Sequence, residues 1–140
     1  MKTRHFLFTL LFSLFAIQPI LRAAEELKAD DPGAAAEKFY AEYIAQIEGN
    51  KDTTQWVAAS KAVTENFKKS YAKAMSVEEL EADPVLKAQD VPEKPFKVSK
   101  TEITDSKATV LLTTTFDGGK HQVTVTLLKV DGIWLLDAVK

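Results

Sequence analysis

The sequence has no cysteine, and beyond residue 22 it has no arginine. Without cysteine the chain can form no disulfide and has no thiolate nucleophile, and it cannot carry the lipid anchor of a lipoprotein. Arginine is the side chain best suited to a bidentate grip on phosphate or guanine. Its absence argues against nucleic acid as a partner and against a tight phosphate site, although a phosphate contact made by lysine alone stays open.

Histidine is equally scarce, since His121 is the only one after residue 5. A metal site needs clustered His, Cys, Asp or Glu side chains, and no segment matches a calcium loop of the D-x-D-x-D-G type. No serine lies in a G-x-S-x-G context. A catalytic Ser–His pair that uses His121 is not excluded, but no motif in the sequence indicates one. We therefore expect no cofactor, no metal and no catalytic residue set.

The N-terminus reads MKTRHFLFTLLFSLFAIQPILRAAEE, which has a basic start, an apolar run over 6–17 and small residues at Ala23 and Ala24. This layout predicts a signal peptide over 1–23 and a single domain over 24–140. Cleavage after Ala24 is one alternative. An uncleaved membrane anchor is the other, although a helix that spans a membrane takes about 20 apolar residues and the run over 6–17 is shorter. We expect a periplasmic or secreted protein without a stable membrane anchor after cleavage.

Export changes the charge of the chain. Residues 1–23 hold three of the 18 basic residues and none of the 20 acidic ones, so 15 lysines remain, with a net charge of −5. A net negative chain is a poor partner for nucleic acid.

Hydrophobic spacing predicts helices in the first half of the domain and strands in the second. A first helix is expected from the Asp31-Pro32 start to the Gly49-Asn50 stop, a second after Asp52 through Met75, and a short third over 77–82. Four strands follow from Phe96, with turns at Asp105-Ser106, at Gly118-Gly119 or Asp117-Gly118, and at Asp131-Gly132. The predicted class is α+β, with the helices packed on one face of a bent, cone-shaped, cystatin-like four-stranded antiparallel meander.

A two-residue turn at Asp131-Gly132 pairs Thr126 with Asp137 and predicts Asp137 on the outer face, away from the helices. A bulge before Asp137 would turn it to the helix side. The inner face is predicted to carry Val110, Leu112, Val123, Val125, Leu127, Trp134, Leu136 and Ala138. On the outer face, Leu111, Leu128, Leu135 and Val139 form an apolar strip, which is either a homodimer contact or covered by the chain's own connector.

Two sets of residues are candidates for a site. Tyr40, Tyr43, Tyr71 and Trp134 combine apolar area with a polar tip, which suits a ligand pocket, although helical spacing also fits an ordinary core. Asp90 and Asp137 are the candidates for a polar site, with a helix cap or turn as the alternative role of Asp90.

Three segments carry a resemblance to a known group: AAAEKFYAEYIAQI, DPVLKAQD and VTLLKVDGIWLLDAVK. With them the chain resembles small exported bacterial proteins of the domain of unknown function 3828, in the nuclear-transport-factor-like or cystatin-like group. The resemblance implies a bent sheet around a long helix with a cone-shaped pocket, and it implies no activity. The chain departs from many relatives by lacking the cysteine of a lipoprotein signal.

From these features we expect an exported, non-enzymatic module that binds a small apolar ligand or a partner protein between its helices and its sheet. One alternative is a small acid–base enzyme of the isomerase or dehydratase kind, with a carboxylate in the cone. The other alternative is a periplasmic immunity or interaction protein.

Overall fold

The computed structural model describes residues 30–140. The helices are α1 (Pro32–Glu48), α2 (Thr53–Ala59) and α3 (Glu65–Met75), and the strands are β1 (Lys97–Thr104), β2 (Lys107–Phe116), β3 (Gly119–Val130) and β4 (Ile133–Val139). The strands form one antiparallel sheet in the order β1-β2-β3-β4, and all three helices contact it or one another. The predicted α+β class is confirmed, whereas the predicted signal peptide over 1–23 lies outside the described residues.

Each helix begins at a side chain that binds the free amides of the first turn. Asp31 Oδ1 accepts from the Gly33 amide at 2.8 Å, and Pro32 follows it in the first turn. Asp52 Oδ1 accepts from two amides of α2, and Thr64 Oγ1 accepts from the Phe67 amide at 3.1 Å. Such caps satisfy backbone donors that have no partner inside the helix. The start of α1 at Pro32, after the cap Asp31, agrees with the start that the sequence predicts.

The prediction of one continuous helix through Met75 is wrong, because the chain leaves helical geometry between α2 and α3. The Thr64 amide donates to the Leu136 carbonyl at 2.8 Å, and the Leu136 amide donates to the Ala62 carbonyl at 2.9 Å. Val63 thereby forms a parallel bridge to Leu136 at the outer edge of β4. Pairing with a free strand edge satisfies both backbones, and it outweighs the helical preference of this short segment.

The predicted third helix over 77–82 is also absent from the structure. Val77 and Leu80 in this segment are 57% and 42% exposed. A short helix is stable mainly when it buries an apolar face. Val77 and Leu80 bury too little apolar surface to stabilise a helix over this segment. The segment therefore follows α3 as an irregular, largely exposed stretch.

The sheet register confirms most of the predicted inner face and corrects its last residues. Seven of the predicted inner residues are buried: Val110, Leu112, Val123, Val125, Leu127, Trp134 and Leu136. Beyond Leu136 the register shifts, so that Thr126 pairs with Ala138 and Val125 pairs with Val139. Val139 packs against the core, and Asp137 is the extra residue of a bulge.

The predicted pairing of Asp137 with Thr126 is therefore wrong, and so are the inner placement of Ala138 and the outer placement of Val139. The bulge lies beside the segment that precedes α3, where the Asp137 carboxylate accepts a hydrogen bond from Thr64 Oγ1 at 2.7 Å. One inserted residue turns the side chains beyond it to the opposite face.

No helix within residues 30–140 is both long enough and apolar enough to cross a membrane.

Candidate functional site

The chain's three tyrosines, Tyr40, Tyr43 and Tyr71, lie together in the core between the helices and the segment that leads into the sheet. The Tyr43 hydroxyl donates to Asp83 Oδ2 at 2.6 Å, since a carboxylate can only accept. It also lies 2.8 Å from the Tyr71 hydroxyl, which lies 2.9 Å from Thr53 Oγ1. We call these four connected groups, Thr53, Tyr71, Tyr43 and Asp83, the tyrosine network.

Tyr40 is held separately from the network. Its hydroxyl donates to the Val85 carbonyl at 2.9 Å, and its ring lies 4.6 Å from that of Phe96 between centroids. Tyr40 therefore ties α1 to the connector between α3 and β1.

The electrostatics of the cluster favour neutral phenols. Burial raises the pKa of Tyr43 far above the ordinary tyrosine value, and its hydrogen bond to the Asp83 carboxylate raises it further. Burial likewise raises the pKa of Tyr40, with a smaller contribution from the charge of Asp83. Burial is also the largest cause of the raised pKa of Tyr71. A phenol held neutral in this way cannot serve as a base near neutral pH.

Asp83 organises the connector as well as the network. Its other oxygen, Oδ1, accepts from the Val85 and Leu86 amides at 2.8 Å each, and its own backbone pairs with Lys87 and Ala88. Val85 and Leu86 are buried against the core as a result. One carboxylate therefore joins α1 directly to the connector, and it reaches α3 through the Tyr43 hydroxyl, which makes it a structural anchor.

Trp134, the fourth residue predicted to line a ligand pocket, contacts other partners. Its indole Nε1 donates to the Asp30 carbonyl at 3.1 Å, and Lys129 Nζ lies 5.5 Å from the centroid of its ring. Lys129 also pairs with the Asp30 carboxylate. The structure thus brings the three tyrosines together, while Trp134 fixes the chain just before α1.

The two predicted polar-site residues lie on different elements. Asp137 accepts from Thr64 Oγ1 and, at 3.4 Å, from Asn66 Nδ2, and Thr64 is the cap of α3. Asp90 lies exposed on the connector, and its side chain makes no hydrogen bond to any residue in 30–140. Asp137 therefore holds the capping residue of α3 in place, and the arrangement does not pair the two carboxylates.

His121 is the remaining side chain that could act as a base. Its Nε2 lies 2.9 Å from the Leu86 carbonyl, and its ring packs edge-on against Phe96 and Phe116. This half-buried environment differs from the exposure expected beside a glycine turn. Since a carbonyl oxygen can only accept, Nε2 donates this hydrogen bond, which ties the ring to the same connector that Asp83 anchors.

The buried polar side chains in the described part of the chain are hydrogen-bonded to one another or to the backbone. No group of three or more His, Cys, Asp or Glu side chains there is placed to hold a metal ion. No buried side-chain nitrogen or oxygen within residues 30–140 lacks a hydrogen-bond partner. Most buried polar groups in folded proteins are hydrogen-bonded in this way.

Sequence reasoning did not single out Asp83 for the site. The only local signal was the Asp-Pro dipeptide, which is typical of a turn. Its partner Tyr43 lies forty positions earlier in the chain, and a contact of that separation leaves no pattern in a single sequence.

Comparisons with known proteins give a similarity of fold. No family model matches the chain, and no curated protein matches it in sequence. A chain in the crystal structure of the type VI native effector-immunity complex Tae3-Tai3 from Ralstonia pickettii is similar with a TM-score of 0.65 and 18% identity, over 79% of this chain and 94% of that chain. A chain in the selenomethionine form of that complex is similar with a TM-score of 0.62 and 19% identity, over 79% of this chain and 95% of that chain. At this identity the similarity shows a shared fold, and membership of the domain of unknown function 3828 stays a prediction.

Proposed function

We propose that this chain is an immunity protein, which binds a type VI effector protein and holds it inactive. The observation that carries the proposal is the fold similarity to a chain of an effector-immunity complex, because it covers 94% of that chain with a TM-score of 0.65. A match over nearly the whole of a small protein concerns its complete architecture rather than one shared motif.

A complex of this kind contains an effector and an immunity protein, and the chemistry of the present chain favours the immunity role. An effector that attacks its target enzymatically needs a nucleophile, a base or a metal site. In residues 30–140 the tyrosine hydroxyls, His121 and Asp137 are all engaged in structural hydrogen bonds. An immunity protein needs only a rigid surface that fits its effector.

The rigidity of the core supports the same role. The tyrosine network and the Asp83 anchor connect all three helices and the connector through hydrogen bonds of 2.6 to 2.9 Å. A surface held by such a core loses little conformational entropy on binding, which favours a tight complex. The predicted export would place this surface in the periplasm, where an incoming effector could meet it.

Co-production with an effector tests the proposal. The candidate effector is a protein that co-purifies with this chain in a fixed ratio, and it is directed to the periplasm of a sensitive host. We expect the full chain to restore growth, and the chain made without residues 1–23 to leave the host sensitive because it stays in the cytoplasm. Failure of the exported, folded chain to protect against an effector that is toxic by itself would contradict the proposal.

A further inference from the structure

An open groove of about 410 Å³ lies where the connector meets the sheet. It is formed by the end of the connector, the start of β1, the end of β2 and the start of β3. Its polar lining consists of lysine and hydroxyl side chains, among them Lys94, Lys97, Lys120, Ser99, Thr113 and Thr115. We call it the lysine groove.

The backbone around the lysine groove is fixed by hydrogen bonds. The Glu93 amide donates to the Thr115 carbonyl at 3.2 Å, and Thr114 Oγ1 donates to the Lys94 carbonyl. These bonds hold the connector against the end of β2. They place Lys94 on one side of the groove, while Lys120, which pairs with Thr115 across the sheet, lies on the other.

A β-bulge shapes the third side. The register of β1 shifts between Val98 and Lys100, and the extra residue Ser99 turns its hydroxyl to the Leu111 carbonyl at 3.2 Å. Thr113 Oγ1 donates to Ser99 Oγ at 3.2 Å. The bulge twists the edge strand away from its neighbour, and the hydroxyls beneath it line the groove.

The charge of the lysine groove is opposite to that of the whole chain. The protein has a net charge of −2, yet none of the residues that line the groove is acidic. Lys97 pairs with Glu37 at 3.1 Å, whereas Lys94 and Lys120 take part in no ion pair among the described residues. The two ammonium groups of Lys94 and Lys120 at one concavity attract an anionic partner and repel a cationic one, while the charge of Lys97 is partly balanced by Glu37.

We propose that the lysine groove is a docking point for the effector and that it receives an acidic segment of that protein, rich in aspartate or glutamate. The proposal rests on the proposed function and names the surface that serves it. Lysine ammonium groups are compact charges on flexible stems, which suit carboxylates that arrive in several orientations. The threonine hydroxyls can donate to the same carboxylates.

The matched variants for a test are Lys94→Gln/Lys120→Gln in the groove and Lys51→Gln/Lys61→Gln elsewhere. All four lysines are exposed, and none takes part in an ion pair within residues 30–140. Both double variants remove the same charge, so the long-range effect of net charge is equal in the two. Circular dichroism and urea unfolding of both should match the unsubstituted chain.

The measurement is the association rate constant with the purified effector at low and at high salt. We expect the groove variant to associate about tenfold more slowly at low salt, with a weaker salt dependence, because charges at an interface act mainly on encounter. The control variant should lie within about twofold of the unsubstituted chain. Equal rates for the two variants would overturn the inference and leave the proposed function standing.

Two further outcomes separate the remaining possibilities. If the unsubstituted chain does not bind an effector that it should neutralise, the proposed function fails together with this inference. Inorganic phosphate, titrated while amide chemical shifts are recorded, is the probe for small anions. Phosphate binding in the groove together with unchanged effector association in the groove variant would identify a small-anion site and overturn the docking proposal.

Discussion

Replacing Asp83 by alanine should destabilise the protein more than any other single loss of a carboxylate in the described residues. The substitution leaves the buried Val85 and Leu86 amides and the Tyr43 hydroxyl without their acceptor. An orphaned buried group costs roughly 1–3 kcal/mol. Asp83 is half-buried and the Tyr43 hydroxyl can still donate to Tyr71, so we expect a total loss of about 3 kcal/mol rather than the full sum.

Asp83→Asn is the matched control because it preserves shape and one acceptor. Its amide oxygen can accept from both backbone amides, and its Nδ2 can donate to Tyr43 while Tyr43 donates to Tyr71. The expected loss is about 1 kcal/mol, the net value of one weakened hydrogen bond. The measurement is urea unfolding of the chain recovered after export, followed by circular dichroism at neutral pH.

A double-mutant cycle isolates the contact between Asp83 and Tyr43. Tyr43→Phe should cost about 1–2 kcal/mol in the unsubstituted chain, and clearly less when Asp83 is already alanine, since its main partner is gone. If Asp83→Ala costs no more than Asp83→Asn, or if the two substitutions add without coupling, Asp83 does not anchor the connector in the way described.

Three further predictions concern other parts of the structure. Burial raises the pKa of all three tyrosines, so the stability that their neutral form confers is complete below about pH 10 and falls as the pH rises above it. The absorbance of the phenolate should therefore appear together with the loss of the circular dichroism signal. Phenolate absorbance in a chain that is still folded would refute the burial of the tyrosines. Asp137→Ala should cost about 1 kcal/mol by removing the acceptor of the Thr64 hydroxyl, whereas Asp137→Asn should cost less in the same urea assay. Gly33→Ala should lower stability by about 1 kcal/mol or more, because the added methyl group would lie 3.0 Å from Val98 Cγ2; an unchanged unfolding midpoint would show that β1 yields without cost.

The sequence was a good guide wherever one residue type determines the local backbone. The hairpin turns are the best example, because Asp105, Asp117, Gly118, Asp131 and Gly132 all adopt positive φ. Asp and Gly tolerate this conformation better than other residues. The inner face followed from the same turns, since alternation along a strand is fixed once its turn is fixed.

Two failures of the sequence reasoning come from a single long-range contact. The break between α2 and α3 and the bulge at Asp137 both occur where the 62–64 segment pairs with the edge of β4. The segment and the strand lie more than seventy positions apart. Neither the 62–64 segment nor β4 has a sequence pattern that indicates their contact. Local propensity therefore predicted a continuous helix and a regular strand.

The candidate site was predicted in part for a related reason. The aromatic composition pointed to Tyr40, Tyr43 and Tyr71, and the structure does bring them together, but their hydroxyls bind Asp83, Thr53 and the connector backbone. The lysine groove had no sequence signal, because Lys94 and Lys120 come together only when the connector and β3 meet at β2. Whether the three tyrosines and Trp134 bind a ligand stays a prediction.

The most direct test of the immunity role is a calorimetric titration of the purified effector with the purified chain. An inhibitor that must neutralise every molecule of a toxic effector requires tight binding, so we predict saturation at a simple molar ratio with a Kd near or below about 1 nM, which corresponds to about −12 kcal/mol. A titration without saturable binding, performed with an effector that is folded and toxic to unprotected cells, would contradict the account.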